Sequence, residues 1–339
     1  MTAGAGLIYA SDSEPGITRK RAGKGFYYLS DKGIRITDEE VLLRLRTLAI
    51  PPAWKDVWIA ADENAHLQAT GRDEKGRKQY RYHPAWTAER GEAKFQNLVP
   101  FAHKLATLRE AVDADLRKRG PAREKVIASV VWLLDNALIR IGNEIYSKQN
   151  KSYGLTTLRS KHVEIEGSRL RFSFPGKSGK QWELKITDRR LAKALRSVQE
   201  LPGQNLFQYI DEDGERRPLR SQDVNLYIQE VIGPEFSSKH FRTWGATTQA
   251  AFLLSEVERP DTVHMRKRVI NQVIDKVARQ LNNTRAVCRS SYIHPAVIEA
   301  FEAGSLGTTI AEMRKRYRKP LKGLELDESI VLRWLEALS

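Results

Sequence analysis

A single cysteine, Cys288, occurs in 339 residues, which excludes an internal disulfide framework or a thiolate metal cluster and fits a reducing compartment. Cys288 is read as a bystander. Apolar runs are short. None reaches the roughly 18 residues that a membrane-spanning helix requires, and the opening stretch MTAGAGLIYASDSEPGITRKRAGKG has no apolar signal core. The expected location is cytoplasmic, with no membrane partner. Glycine and proline number only 22 and 13, beside 41% hydrophobic and 29% charged residues, so the chain is neither fibrous nor mainly disordered. Nucleotide and metal motifs are missing as well: there is no GxxxxGK[ST], no GxGxxG after a strand, no HExxH and no paired-cysteine spacing. Neither cofactor, metal nor nucleotide is expected.

Positive charge is what the chain has in excess. Lys and Arg number 57 against 42 Asp and Glu, a net charge of +15. Such a surface draws a polyanion, because each phosphate contact releases condensed counterions, and nucleic acid is the leading partner. Residues 1–90 hold 15 basic against 12 acidic side chains, a net +3, leaving +12 of the total to the remainder. Both parts are basic.

The apolar periodicity changes along the chain. Gly25 to Leu29, a turn at Asp31 to Gly33 and Ile34 to Ile36 predict a β-hairpin, and Thr37 with Glu40 predicts a capping box ahead of a short helix that Pro51 and Pro52 stop. Further strands are predicted at Val57 to Ala60, Leu67 to Thr70 and Lys78 to Tyr82, the last two joined by the turn GRDEKG. A polar stretch from Thr87 to Glu92 reads as a linker, which places domains at 1–90 and 91–339. The second part is mainly helical, with helices over Glu92 to Arg119, Arg123 to Ile145, Ser221 to Val231, Ser238 to Leu254, Thr262 to Leu281 and two or three more near the end. Strand-like alternation at His162 to Ile165, Arg169 to Phe174 and Gln181 to Ile186 predicts a three-stranded meander within it. The predicted class is α+β: a small N-terminal antiparallel sheet domain with short helices, then a larger, mainly α-helical domain containing the meander.

Several basic residues stand in awkward places. Arg140 lies near the end of a helix that is apolar nearly all round, where it needs an anion; a salt bridge to Glu144 or plain exposure is the bland alternative. Lys177 sits in the turn PGKSGK, where glycines let a ligand approach, and Lys180 in the same turn is its rival. Arg242 falls in the early turns of a helix that Ser237 or Ser238 can cap, a position that suits a bound phosphate, although an ordinary exposed arginine also fits. Asn282, Asn283 and Thr284 read as helix-ending and capping residues, and Tyr292 follows in RSSYIHP, one of 11 tyrosines, most of which pack.

In order, Arg140, Lys177, Arg242, Asn283 and Tyr292 resemble the active site of type IB DNA topoisomerases, especially the poxvirus-like branch found in bacteria. The segments IRIGNEIY, FPGKSGK, KHFRTWG and SSYIHP match that family's catalytic blocks, and ATGRDEKGRKQYRYH (Ala69 to His83) resembles its DNA-contacting hairpin. The resemblance implies that Tyr292 attacks one backbone phosphodiester and forms a 3′-phosphotyrosyl link. A phenol is protonated at neutral pH and needs cationic neighbours for this. Arg140 and Arg242 are implied to grip the nonbridging oxygens, Asn283 to donate a further hydrogen bond, and Lys177 to protonate the departing 5′ oxygen. Many relatives carry His where this chain has Asn283, and an amide donates but takes no acid role. The implied partner is duplex DNA, preferably supercoiled, clamped by a monomer at the nucleoid and relaxed by strand rotation without ATP. Lys78, Gln79, Tyr80, Arg81, Tyr82 and Lys239 are the expected DNA-binding residues. Tyr80 and Tyr82 share one face of their strand and Arg81 takes the other, with packing of the tyrosines into the sheet core left open. A tyrosine recombinase is the nearest alternative, but recombinases carry His three residues before the second arginine, where this chain has Lys239. A non-catalytic DNA-binding architectural protein is the other.

Overall fold

The computed structural model describes residues 2–3, 6–23, 25–74 and 76–338, and the chain divides into two compact units, Met1–Lys94 and Phe95–Ser339. In the first unit β1 (Thr2–Ala3) pairs with β2 (Leu7–Ile8), and a five-stranded antiparallel sheet is ordered β4 (Gly25–Leu29), β3 (Ile17–Ala22), β5 (Lys55–Ile59), β6 (Leu67–Arg72), β7 (Lys78–Tyr82). Ile17, Val57, Ile59 and Ala69 form its apolar face and cluster with Leu45 of helix α1 (Glu39–Thr47).

Three local expectations need correction here. The hairpin from Gly25 to Ile36 survives only as a bridge between Leu29 and Arg35, because the main partner of β4 is β3. That strand, ITRKRA, hides from apolar alternation: its inward Arg19 is only 9% exposed and donates to the carbonyls of Ile50, Pro51 and Trp54. The cap of α1 is Asp38 rather than Thr37, its carboxylate accepting from the amides of Glu40 and Val41 at 2.9 and 3.1 Å. The expected linker is helical, lying within α2 (Pro84–Gln96). Proline suits a first helical turn, and one interior glycine, Gly91, costs only about 1 kcal/mol, too little to break a helix. Lys75, in the turn between β6 and β7, lies outside the described residues.

The second unit runs α3 (Leu98–Leu116), α4 (Arg123–Ala137), α5 (Glu144–Asn150), the strands β8 (Val163–Glu166), β9 (Arg169–Pro175) and β10 (Gln181–Thr187), α6 (Arg189–Gln199), a hairpin of β11 (Gln208–Ile210) and β12 (Arg216–Pro218), then α7 (Ser221–Ile232), α8 (Lys239–Ser255), α9 (Val263–Gln280), α10 (Arg285–Ser291), α11 (Pro295–Ala303), α12 (Leu306–Arg316) and α13 (Leu326–Glu336). The meander is present, ordered β10-β9-β8, with Leu170, Phe172 and Phe174 of β9 turned into the core. The predicted α+β class therefore holds. Helix α4 is buried along most of its surface, with Asn136 exposed and Trp132 and Asp135 partly so, and together with α8 it lies at the centre of the core.

Burial also sets an acid limit on this unit. His240 of α8 is 1% exposed, stacks on Phe101 with centroids 5.3 Å apart, and accepts the Ser237 amide at Nδ1. Burial pulls its pKa down to about 4. The unfolded chain therefore binds a proton between about pH 6.5 and pH 4 that the folded chain refuses, so stability is full above that window and falls by about 3 kcal/mol across it. Melting curves of His240→Asn, which keeps an acceptor for Ser237, are expected to lose this part of the pH slope.

Candidate active site

The first arginine is not on a helix. The apolar pattern runs on past residue 140, yet α4 stops at Ala137 because Leu138 turns left-handed, φ 52°, and packs its side chain against Gly245 of α8. A Cβ at Gly245 would stand 2.8 Å from the Leu138 methyls, so the turn and the glycine fit only together. The chain then continues without regular structure, and the carbonyls of Arg140 and Ile141 accept the amides of Leu155 and Thr156 at 2.9 and 2.8 Å. Two glycines make this crossing possible. A Cβ on Gly154 would lie 2.6 Å from the Arg140 carbonyl, and one on Gly142, at φ +100°, would lie 3.1 Å from the Gly154 backbone. The half-buried Arg140 thus sits at a backbone crossing, and among the described residues no ion pair joins it to Glu144.

Arg242, four positions into α8, is 3% exposed. Ser238 holds the cap position without a side-chain capping bond, so the serine cap expected there does not form. The guanidinium is gripped from behind instead: Nη1 donates to the Leu138 carbonyl and Nη2 to the Leu281 carbonyl, the latter at 2.9 Å. Its front meets Tyr292, whose ring centroid is 5.0 Å from Cζ. Burial pulls the pKa of Arg242 down, Tyr292 opposes this as a hydrogen-bond partner and as an anion once ionised, and the neighbouring charge of Arg140 adds to the fall.

Tyr292 ends α10, its amide donating to the Cys288 carbonyl at 3.0 Å, and its partly buried ring packs against the core. Thr247 of α8 fixes this end of the helix, donating Oγ1 to the Tyr292 carbonyl and accepting the His294 amide, both at 3.1 Å. No sequence signal marks Thr247, since the contact joins residues 45 apart. Cys288 is fully buried, and burial raises its thiol pKa in spite of the nearby Arg242, Arg140 and Lys180.

The link between α9 and α10 carries Asn283. Its Oδ1 caps the Thr284 amide at 3.0 Å, and its Nδ2 is buried. Against this link docks the turn between β9 and β10: Lys180 Nζ donates to the Asn283 carbonyl at 2.8 Å, and Asn282 Nδ2 to the Gln181 carbonyl at 3.0 Å. Lys177 opens the 3₁₀ turn Lys177–Gly179 and is exposed. The structure therefore draws Arg140, Arg242, Asn283 and Tyr292 together, with Lys180 tied to the group and Lys177 on the same turn facing solvent. Three donor atoms in the group, Arg140 Nη1, Arg242 Nε and Asn283 Nδ2, are buried and find no acceptor among the described residues. Donors so placed suit an anion that brings several oxygens at once.

Of the expected DNA-binding residues, Lys239 is exposed at the first position of α8. On β7, Tyr80 and Tyr82 are 49% and 43% exposed with rings stacked 6.1 Å apart, so they do not pack the sheet core. Their strand neighbours are engaged: Lys78 pairs with Asp12 at 2.5 Å, Gln79 donates to Asp73, and Arg81 reaches the carbonyls of Leu48 and Ala49. Among the described residues no group of three or more His, Cys, Asp or Glu is placed to hold a metal ion, and no helix is long and apolar enough to cross a membrane.

Known proteins match along most of the chain. A family profile described as Eukaryotic DNA topoisomerase I, catalytic core, matches residues 78–319, and one described as Bacterial DNA topoisomerase IB, N-terminal domain, matches residues 25–73. The DNA topoisomerase 1B of Acanthamoeba polyphaga mimivirus is 36% identical over 295 residues, 85% of this chain and 88% of its own. The DNA topoisomerase 1B of Vaccinia virus (strain Western Reserve) is 22% identical over 233 residues, 68% of this chain and 70% of the viral protein. With one profile covering more than half of its residues and a relative of this identity aligned nearly end to end, the chain belongs to the type IB DNA topoisomerases, a family of isomerases.

Proposed function

We propose that this chain relaxes supercoiled duplex DNA by cutting one strand through a 3′-phosphotyrosyl intermediate at Tyr292, letting the helix rotate and rejoining the same bond. The observation that carries this reading is the buried Arg242 guanidinium 5.0 Å from the Tyr292 ring, among three donors that no acceptor among the described residues satisfies. Attack by the phenol oxygen, which releases its proton to solvent water, forms one P–O bond as the bond to the 5′ oxygen breaks, and the phosphorane between them carries a second negative charge. Arg140, Arg242 and Asn283 supply the donors that meet this charge. One phosphodiester replaces another, so the step stores its energy and reverses without a nucleotide. Tyr80 and Tyr82 present aromatic faces to a duplex, and the protein acts as a monomer at the nucleoid.

Supercoiled plasmid incubated with the protein in EDTA and no ATP is expected to relax, and quenching with detergent is expected to trap protein covalently on a 3′ end. Relaxation that requires a divalent ion or ATP would contradict the mechanism. Absence of any trapped adduct would favour the architectural DNA-binding alternative.

The departing 5′ oxygen needs a proton, and Lys177 is assigned to supply it. Its exposed position on the docked turn leaves the ammonium free to reach a bound backbone, whereas Lys180 is held by the Asn283 carbonyl. Lys177→Ala is expected to slow cleavage far more on an ordinary 5′ oxygen than on a 5′ thiol leaving group, which departs without a proton. If Lys180→Ala shows that selectivity instead, the acid role moves there.

A further inference from the structure

Arg109 of α3 uses every donor it has. Nε and Nη2 donate to the two oxygens of Asp135 at 2.7 and 3.0 Å, Nη1 and Nη2 to those of Glu328 at 2.7 and 2.9 Å, and Nη1 also to the Gly323 carbonyl at 2.9 Å. A guanidinium has five N–H groups, and all are satisfied. Glu328 in turn accepts the indole Nε1–H of Trp244 and the Glu325 amide, each at 2.9 Å. The carboxylates keep 12% and 13% of their side-chain exposure. Burial opposes the charge on Glu328, but the bonds from Arg109 hold its carboxyl below the ordinary range.

What the network joins gives it meaning. Asp135 lies in the last turn of α4, three residues before Leu138, whose carbonyl grips Arg242 and whose chain leads to Arg140. Trp244, 2% exposed, stands two residues beyond Arg242 on α8. Glu328 comes from α13. Arg109 therefore ties the end of α4 to α13 through Asp135 and Glu328, and Glu328 ties α13 to α8 through Trp244, so the two backbones that deliver both site arginines meet at one carboxylate. Buried ion clusters of this kind seldom stabilise a fold more than apolar side chains of equal volume do, so stability alone does not account for it; fixing one arrangement is the better-matched role.

We propose that Arg109, Glu328 and Trp244 are positioning residues that set Arg140 and Arg242 against the scissile phosphate. This rests on the proposed function, in which those arginines grip nonbridging oxygens. The test uses the full chain with two mild changes: Glu328→Gln, which keeps shape and an acceptor, and Trp244→Phe, which keeps an aromatic ring and deletes the indole N–H. Single-turnover adduct formation is measured on a duplex with an ordinary scissile phosphate and on the same duplex with a methylphosphonate there, where a neutral methyl replaces one charged oxygen and the need for a guanidinium falls. Each variant is expected to lose about tenfold or more on the phosphate, with noncovalent affinity unchanged, and to lose much less on the methylphosphonate. Equal loss on both substrates, or wild-type rates from either folded variant on the phosphate, overturns the proposal. Melting temperatures identify an unfolded variant, and the other then decides. Arg242→Ala runs in parallel: a wild-type rate from it on the phosphate would sink the proposed function itself, a result distinct from failure of the network.

Discussion

Tyr292→Phe is expected to abolish plasmid relaxation and covalent adduct formation while leaving duplex affinity within about twofold of the wild type, because the change removes one oxygen and no charge. The ring is half-buried against the core and Arg242 lies over it, contacts that phenylalanine keeps while giving up only the phenol's hydrogen bond to Arg242. The end of α10 is held by backbone bonds to Cys288 and Thr247, which do not involve the phenol. A fold defect is therefore not expected, and a melting temperature within a few degrees of wild type checks it. Gel shift with a short duplex, beside adduct trapping with supercoiled plasmid, separates binding from chemistry. Residual relaxation above the level of a no-enzyme control would place the nucleophile at another residue.

Arg242→Ala is expected to slow cleavage by about a hundred- to a thousandfold, the cost of removing one preorganised donor from a transition state that gathers charge. Stability should fall too. The Leu138 and Leu281 carbonyls lose their donor, and each orphaned buried acceptor costs about 1 to 3 kcal/mol. Arg242→Lys tells the two effects apart. An ammonium keeps the charge but cannot hold two carbonyls behind and a phosphate in front, since it lacks the planar fork. It is expected to recover some stability and little rate. A lysine variant within about threefold of the wild-type rate would mean that charge alone matters here and that the guanidinium geometry does not.

Much of this arrangement was legible in the sequence because it is local. The meander is written in two-residue alternation, and β9 shows it with Leu170, Phe172 and Phe174 all inward. The tyrosines of β7 lie side by side because residues 80 and 82 are two apart on one strand. Asn282, at φ 46°, ends the run of α9 as an asparagine is suited to do, and Thr284 caps α10. What could not be read depends on partners distant in sequence. Helical periodicity carries on past residue 137, and only Leu138 meeting Gly245 explains why the helix does not. Strand β3 has the composition of a solvated loop until β4 and β5 flank it. The ties of Arg109 span 26 and 219 residues, and no local pattern in α3 signals them.

The crossing of Gly142 and Gly154 bears on how loss-of-function screens of this protein should be interpreted. Neither residue has a side chain to offer DNA, yet a methyl group on Gly154 would stand 2.6 Å from the Gly142 backbone, and Gly142 holds φ +100°, a conformation that strains any residue with a Cβ. A saturation library selected for activity would score both positions as intolerant as the phenol itself, and a ranking by fitness alone would count them among the chemical groups. Pairing that selection with a measure of soluble yield would sort them: alanine at 142 or 154 should fail on both axes, whereas Tyr292→Phe should fail on one.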